Sequence, residues 1–116
     1  NGGGWVSAGA GSNSGGGISN TAGDSREPNM TLGPSGTPYV TWQESVNNYE
    51  VYVRQLRGGV WTEVGSGSAT GGGISNTSGQ SHGPVIAAAA DGRLFVAWQD
   101  ERSGHAEIYV KMNSAP

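Results

Sequence analysis

Cysteine is absent from the 116 residues, so neither a disulfide framework nor a thiolate metal site holds this chain together. Positive charge is sparse as well. Six Lys and Arg stand singly against nine Asp and Glu for a net charge of -3, which lacks the basic footprint of a nucleic-acid binder. No apolar run approaches the roughly 20 residues of a membrane-spanning helix. No charged start followed by an apolar stretch reads as a signal peptide, so an exported chain is expected to be already processed. Helical periodicity is missing too, because glycines interrupt every window in which apolar residues would recur at helical spacing. With 34% apolar residues and 22 glycines, the chain is thin for a self-sufficient core, and packing against further copies is the expected supplement. The Gly, Ser, Thr and Asn-rich composition suits a secreted or cell-surface protein.

What the chain does have is one unit written twice. Trp5 and Trp61 each open a stretch of small residues that runs into GGGISNT, at residues 15–21 and again at 71–77. Each copy continues through Pro28 or Pro84, a Tyr39-Val40-Thr41-Trp42-Gln43-Glu44 or Phe95-Val96-Ala97-Trp98-Gln99-Asp100 segment, and a closing Glu50-Val51-Tyr52-Val53 or Glu107-Ile108-Tyr109-Val110. The offset of ~56 residues drifts by one at the last segment, and such a period marks an architecture in which no unit buries its hydrophobic face alone. Two repeats are delimited, 1–56 and 57–116, with the strand at Trp61 completing the first unit's sheet.

The β-branched and aromatic residues of these segments predict strands. Turn chemistry separates them: Gly33-Pro34-Ser35-Gly36 and Asp91-Gly92 before the WQ strand, Asn47-Asn48 and Ser103-Gly104 after it. Ala87 to Ala90 favours helix intrinsically, but a run this short between Pro84 and Asp91-Gly92 cannot cover the cost of nucleation, and a strand of small residues is predicted. Each unit then has four strands: one after the proline, one ending in WQE or WQD, one reading E-[VI]-Y-V, and one opening at Trp5 or Trp61. A four-stranded antiparallel meander per repeat describes an all-β propeller blade.

These residues also carry a resemblance. Trp98-Gln99-Asp100-Glu101-Arg102-Ser103-Gly104 leading to Glu107-Ile108-Tyr109, together with GGGISNT and the strand motifs, resembles the blades of bacterial β-propellers of the sialidase-like and cell-surface type. The first copy departs from the pattern at Glu44-Ser45-Val46-Asn47, so the Asp and Arg pair stands in the second copy only. Two blades cannot close a ring of about four to eight. The expectation is a cyclic homo-oligomer, three chains ahead of four, in which Trp5 and Val6 pair with Glu107, Ile108, Tyr109 and Val110 of a neighbour and consume the open edges.

The resemblance extends to glycosidases, whose chemistry needs arginines on a sugar carboxylate, a nucleophile and an acid. Here Arg26, Arg54, Arg57, Arg93 and Arg102 occupy unrelated repeat positions and no carboxylate pair stands out, so no catalytic residue is expected, and a glycosidase remnant is the weakest reading. His82 and His105 are lone loop histidines without ligand spacing, and no metal or cofactor is expected. Asp100 and Arg102 form either a polar site at a hairpin mouth for a sugar hydroxyl or calcium, or a turn cap. Ser19, Asn20, Thr21, Ser75, Asn76 and Thr77 are ligand candidates because repeated loops carry function in such rings. The structural alternative has Ile18 and Ile74 pinning the connections while the polar residues satisfy backbone groups. The sequence therefore points to a non-enzymatic, self-assembling β-propeller that recognises a ligand multivalently, carbohydrate first, with a pure assembly unit as the alternative.

Overall fold

The computed structural model describes residues 3–45 and 48–113 and contains two antiparallel sheets. The first is a meander of β1 (Ser25–Leu32), β2 (Pro38–Ser45), β3 (Tyr49–Arg57) and β4 (Val60–Glu63), and the second comprises β5 (Ser81–Ala88), β6 (Leu94–Asp100) and β7 (Glu107–Asn113). No helix occurs among the described residues. The strand expected at Trp61 is β4, which closes against β3 with Leu56 opposite Trp61.

The repeat is visible in register as well as in sequence. Thr41 faces Val53 and Trp42 faces Tyr52 in the first sheet, and Ala97 faces Val110 and Trp98 faces Tyr109 in the second. The tight turns before β2 and β6 are closed alike, by Gly33 N to Thr37 O at 2.8 Å and Ala89 N to Arg93 O at 2.8 Å. Ala89 thus belongs to a turn, and the predicted alanine strand ends at Ala88. Asn47 of the predicted Asn47-Asn48 turn lies outside the described residues.

The first strand of each sheet starts three residues before its proline, earlier than the sequence suggested. A bulge explains it. Register shifts between Arg26 and Asn29, and between His82 and Val85, so each proline sits where the ladder skips and no backbone donor is needed. Glu27 and Gly83 turn the chain there with φ of 59° and 57°.

Alternation along the strands gives each sheet two apolar faces. Tyr39, Val51 and Val53 of the first sheet pack on Ile86, Leu94, Val96 and Trp98 of the second, forming the main core between the sheets. Trp42, Tyr52 and Ala69, joined by Ile18 and Val40, form a smaller cluster on the opposite face of the first sheet. Each fully buried side chain contributes about 1.5–3 kcal/mol. Outside this core lie Met30, Ile108, Val110 and Met112, all more than half exposed.

Trp5 to Gly9 forms no strand within the single chain; the strand expected to pair with it belongs to a neighbouring chain. The C-terminal part of β3 is taken by β4, and the outer edge of β7 is left unpaired in the single chain. Trp61 Nε1 instead donates to Ala8 O at 2.8 Å and Ala10 N to Gly59 O at 2.8 Å, while Trp5 and Val6 project fully into solvent.

Candidate functional site

The two GGGISNT connections share one backbone design. Asn20 N donates to Gly16 O at 3.0 Å and Asn76 N to Gly72 O at 2.9 Å, and both asparagines sit at φ 47°, a left-handed conformation that asparagine tolerates. The middle glycine is closely crowded by that asparagine. A Cβ on Gly16 or Gly72 would stand 2.2 Å from the Oδ1 of Asn20 or Asn76.

The second connection lies along β3, because β4 covers only its C-terminal half. Val53 N donates to Ser68 O and Ile74 N to Val51 O, both at 2.9 Å. Val51 N donates to Ser75 Oγ at 2.9 Å, and that hydroxyl donates to Glu50 Oε1 at 2.6 Å. Thr77 N donates to Glu50 Oε2 at 3.2 Å. Gly73 passes so close that a Cβ would meet Val51 O at 2.2 Å and the Tyr52 ring at 2.6 Å. Glu63 caps the start of this connection, and the Ala69 amide above all, then the Thr70 hydroxyl and Gly67 amide, hold its carboxyl below the ordinary value against the opposing effect of burial.

Below each connection sits a buried carboxylate. Asp100 accepts from Trp98 Nε1 at 3.0 Å, Ser81 Oγ at 3.1 Å, Thr77 Oγ1 at 3.2 Å, and from Arg102 through N at 2.9 Å and Nη2 at 3.2 Å. Glu44, its repeat counterpart, accepts from Trp42 Nε1 at 2.9 Å, Ser25 Oγ at 2.7 Å and Thr21 Oγ1 at 2.6 Å. Both residues are fully buried. The carboxylate role therefore exists in both repeats, and the arginine alone is particular to the second. Burial acts to raise the pKa of Asp100, but the Arg102 side chain, Trp98, the Arg102 amide and Ser81 outweigh it and hold the carboxyl far below the usual carboxylate range. The Arg102 guanidinium also lies 3.9 Å above the Tyr109 ring, a cation–π placement, and Tyr109 stacks on Trp98 at 6.4 Å.

The ligand candidates are thus divided by the fold. Ser75 is buried, Thr77 bridges Glu50 and Asp100, and Arg102 is tied to Asp100. Asn20 and Asn76 are exposed at the tips of their turns. Ser19 lines a depression of about 230 Å³ beside Ile18, Ser25, Pro28, Val40 and Trp42. Of the closure candidates, Tyr109 points into the core while Ile108, Val110 and Glu107 are exposed on β7. Glu44, Glu50, Ser25 and Ser81 were missed by the sequence reading. Their signal was the repeated T-x-x-x-S spacing (Thr21 to Ser25, Thr77 to Ser81) joined to W-x-[ED].

A larger cleft of about 320 Å³ opens between the sheets, with Val53, Leu94 and Val96 among its apolar lining and Ser66, Lys111 and Asn113 among its polar lining. This size lies at the lower end of small-ligand sites. Lys111 Nζ donates to Ile74 O at 2.8 Å, which fixes the ammonium within it. His82 pairs with Glu101 at 3.6 Å and His105 with Glu107 at 3.0 Å. No group of three or more metal-ligating side chains converges among the described residues. No protein-family model matches the chain, and no curated protein matches it.

Gly17 and Gly73 have similar φ, 69° and 63°, but only Gly73 lies against another strand. Gly17→Ala should cost about 1 kcal/mol in urea unfolding, and Gly73→Ala about 1–3 kcal/mol more because the connection must lift from β3; equal losses would contradict that placement. Asp100→Ala should cost about 3 kcal/mol at neutral pH, since Trp98, Ser81 and Arg102 lose their acceptor. Because the folded pKa is depressed, the Asp100 contribution is complete above the unfolded value of about 3.9 and is lost as pH falls through the folded value. Wild type should therefore lose stability below about pH 4, with a flatter profile in Asp100→Asn; parallel profiles would contradict this account.

Proposed function

We propose that this chain is a non-enzymatic β-propeller module that stacks head to tail on copies of itself, each sheet acting as one blade. The observation that carries this reading is the interface between the two sheets. Val51 and Val53 are 0% and 3% exposed where the second sheet covers them, whereas their counterparts Ile108 and Val110 are 74% and 60% exposed. On the other side, Ile86 is 8% exposed and its counterpart Met30 57%. One apolar joint is filled inside the chain, and both of its halves recur at the surface. Covering each such side chain contributes about 1.5–3 kcal/mol, and a ring of three or four chains gives six or eight blades, within the usual range.

Carbohydrate is the ligand class we assign to the clefts between consecutive blades, in a secreted or cell-surface setting like that of the bacterial propellers the repeats resemble. An apolar base with a few convergent polar groups suits a sugar ring, and weak sites repeated around a ring combine by avidity. The absence of catalysis is supported by Glu44, Glu50 and Asp100, whose carboxylates are all engaged by the protein's own donors. A second reading, a pure assembly unit with no ligand, is favoured by the structural employment of Ser75, Thr77 and Asp100.

Light scattering across a dilution series tests the assembly: three or four chains per particle, unchanged on dilution, is expected, and a folded monomer at every concentration would contradict it. Tryptophan fluorescence under titration with a broad sugar panel separates the two readings. A saturable response weakened by Lys111→Ala supports carbohydrate recognition, and silence across the panel favours the pure assembly unit.

A further inference from the structure

We infer that the connection at residues 15–21 of a second copy of this chain lies along the open edge of β7, as the connection at 71–77 lies along β3. This rests on the head-to-tail reading above and assigns the contacts of its joint. The first connection is already folded for the task. Ala8 N donates to Ser12 Oγ at 2.8 Å, as Val64 N does to Ser68 Oγ at 2.8 Å. Gly17 N donates to Ser14 O, as Gly73 N does to Thr70 O, both at 2.9 Å. Three internal bonds, those at Ala8, Gly17 and Asn20, therefore recur at Val64, Gly73 and Asn76, although the Glu63 cap belongs to the second connection alone. The bonds that the second makes to the β3 backbone have no equivalent for the first within this chain. Gly73 is pressed on Val51 and Tyr52, but a Cβ on Gly17 would meet nothing within 4 Å.

The missing strand is one the chain itself carries. Glu107, Ile108 and Val110 repeat Glu50, Val51 and Val53, and all three are exposed on β7. Repeat correspondence then specifies the joint. Ile108 N donates to Ser19 Oγ of the second copy, Ile18 N of that copy donates to Ile108 O, and Val110 N donates to Ser12 O. Glu107 takes the place of Glu50, accepting from Ser19 and Ser25. Ser81 already shows this arrangement, shared between Asp100 at 3.1 Å and Glu50 at 3.3 Å, whereas Ser25 serves Glu44 alone at 2.7 Å. A strand edge satisfied by a matching backbone and a charge received by preplaced hydroxyls is recognition by complementarity, and the complementary surface belongs to an identical chain.

The absence of cysteine makes a clean test available. Ile74 and Val51 are hydrogen-bonded neighbours in one cluster, and residues paired across a ladder lie about 5.5 Å apart at Cα, a separation that a disulfide bridges. Their counterparts across the joint are Ile18 and Ile108. An Ile18→Cys chain mixed with an Ile108→Cys chain under mild oxidation should give a disulfide-linked heterodimer on a non-reducing gel, well above the homodimer from either alone. Glu107→Ala should raise the dissociation constant of the native assembly at least about tenfold and leave the thermal midpoint of the dissociated chain unchanged. Oligomers by light scattering without the mixed disulfide and without a Glu107→Ala effect would overturn this joint while leaving self-association standing. A monomer by light scattering at every concentration would overturn both.

Discussion

The outer edge of the third strand in each repeat is the constraint on which the rest of the structure depends. β3 is nine residues long and β4 only four, so more than half of the β3 edge needs another partner. The connection to the next repeat supplies it. To lie flat on a strand, that connection must turn sharply, expose few side chains to the strand's backbone and bring its own donors and acceptors. The glycine triplet, the serine, the left-handed asparagine and the threonine of GGGISNT meet those demands. A segment whose composition suggests a flexible surface loop is in fact a backbone fitting held at both ends.

The buried carboxylates fix this fitting to the sheets. Each gathers a threonine from the connection, a serine from the first strand and the indole N–H of the second strand, joining three chain segments at one anion. In the second repeat the group is an aspartate with an arginine beside it, and in the first it is a glutamate whose longer side chain reaches the same three donors without the arginine. Hydrogen bonds to a charged acceptor are individually stronger than neutral ones, and they offset the burial cost that an isolated carboxylate would carry. The tryptophans are held twice, by packing of the ring and by the N–H bond, which accounts for their near-complete burial.

Much of the fold was legible in the sequence because its determinants are local. Strand segments announced themselves through Val, Tyr and Trp, turns through Asn, Asp and Gly, and the repeat through simple self-comparison. The bulges at Pro28 and Pro84 were less visible, since a proline reads as the boundary of a strand rather than as a residue the ladder can skip. The carboxylate nodes were harder still. Glu44 meets Thr21 and Ser25 across 23 and 19 residues, and only the recurrence of the same spacings around Asp100 exposes the pattern. Trp5 stands at a strand position of the repeat, but an edge strand exists only where a ladder receives it, and within the single chain Trp5 is paired with none.

The central claim is that β7 and the first connection are the two unfilled halves of a joint that the chain already contains once. Amide hydrogen exchange resolved at single residues, followed as a function of protein concentration, tests it most directly. Val51 and Val53, bonded within the chain, should be protected at every concentration. Ile108 and Val110 should exchange freely in dilute solution and become as protected as Val51 and Val53 as the chains assemble. Rapid exchange at Ile108 and Val110 throughout, under conditions where Val51 and Val53 stay protected and chains associate, would contradict the account.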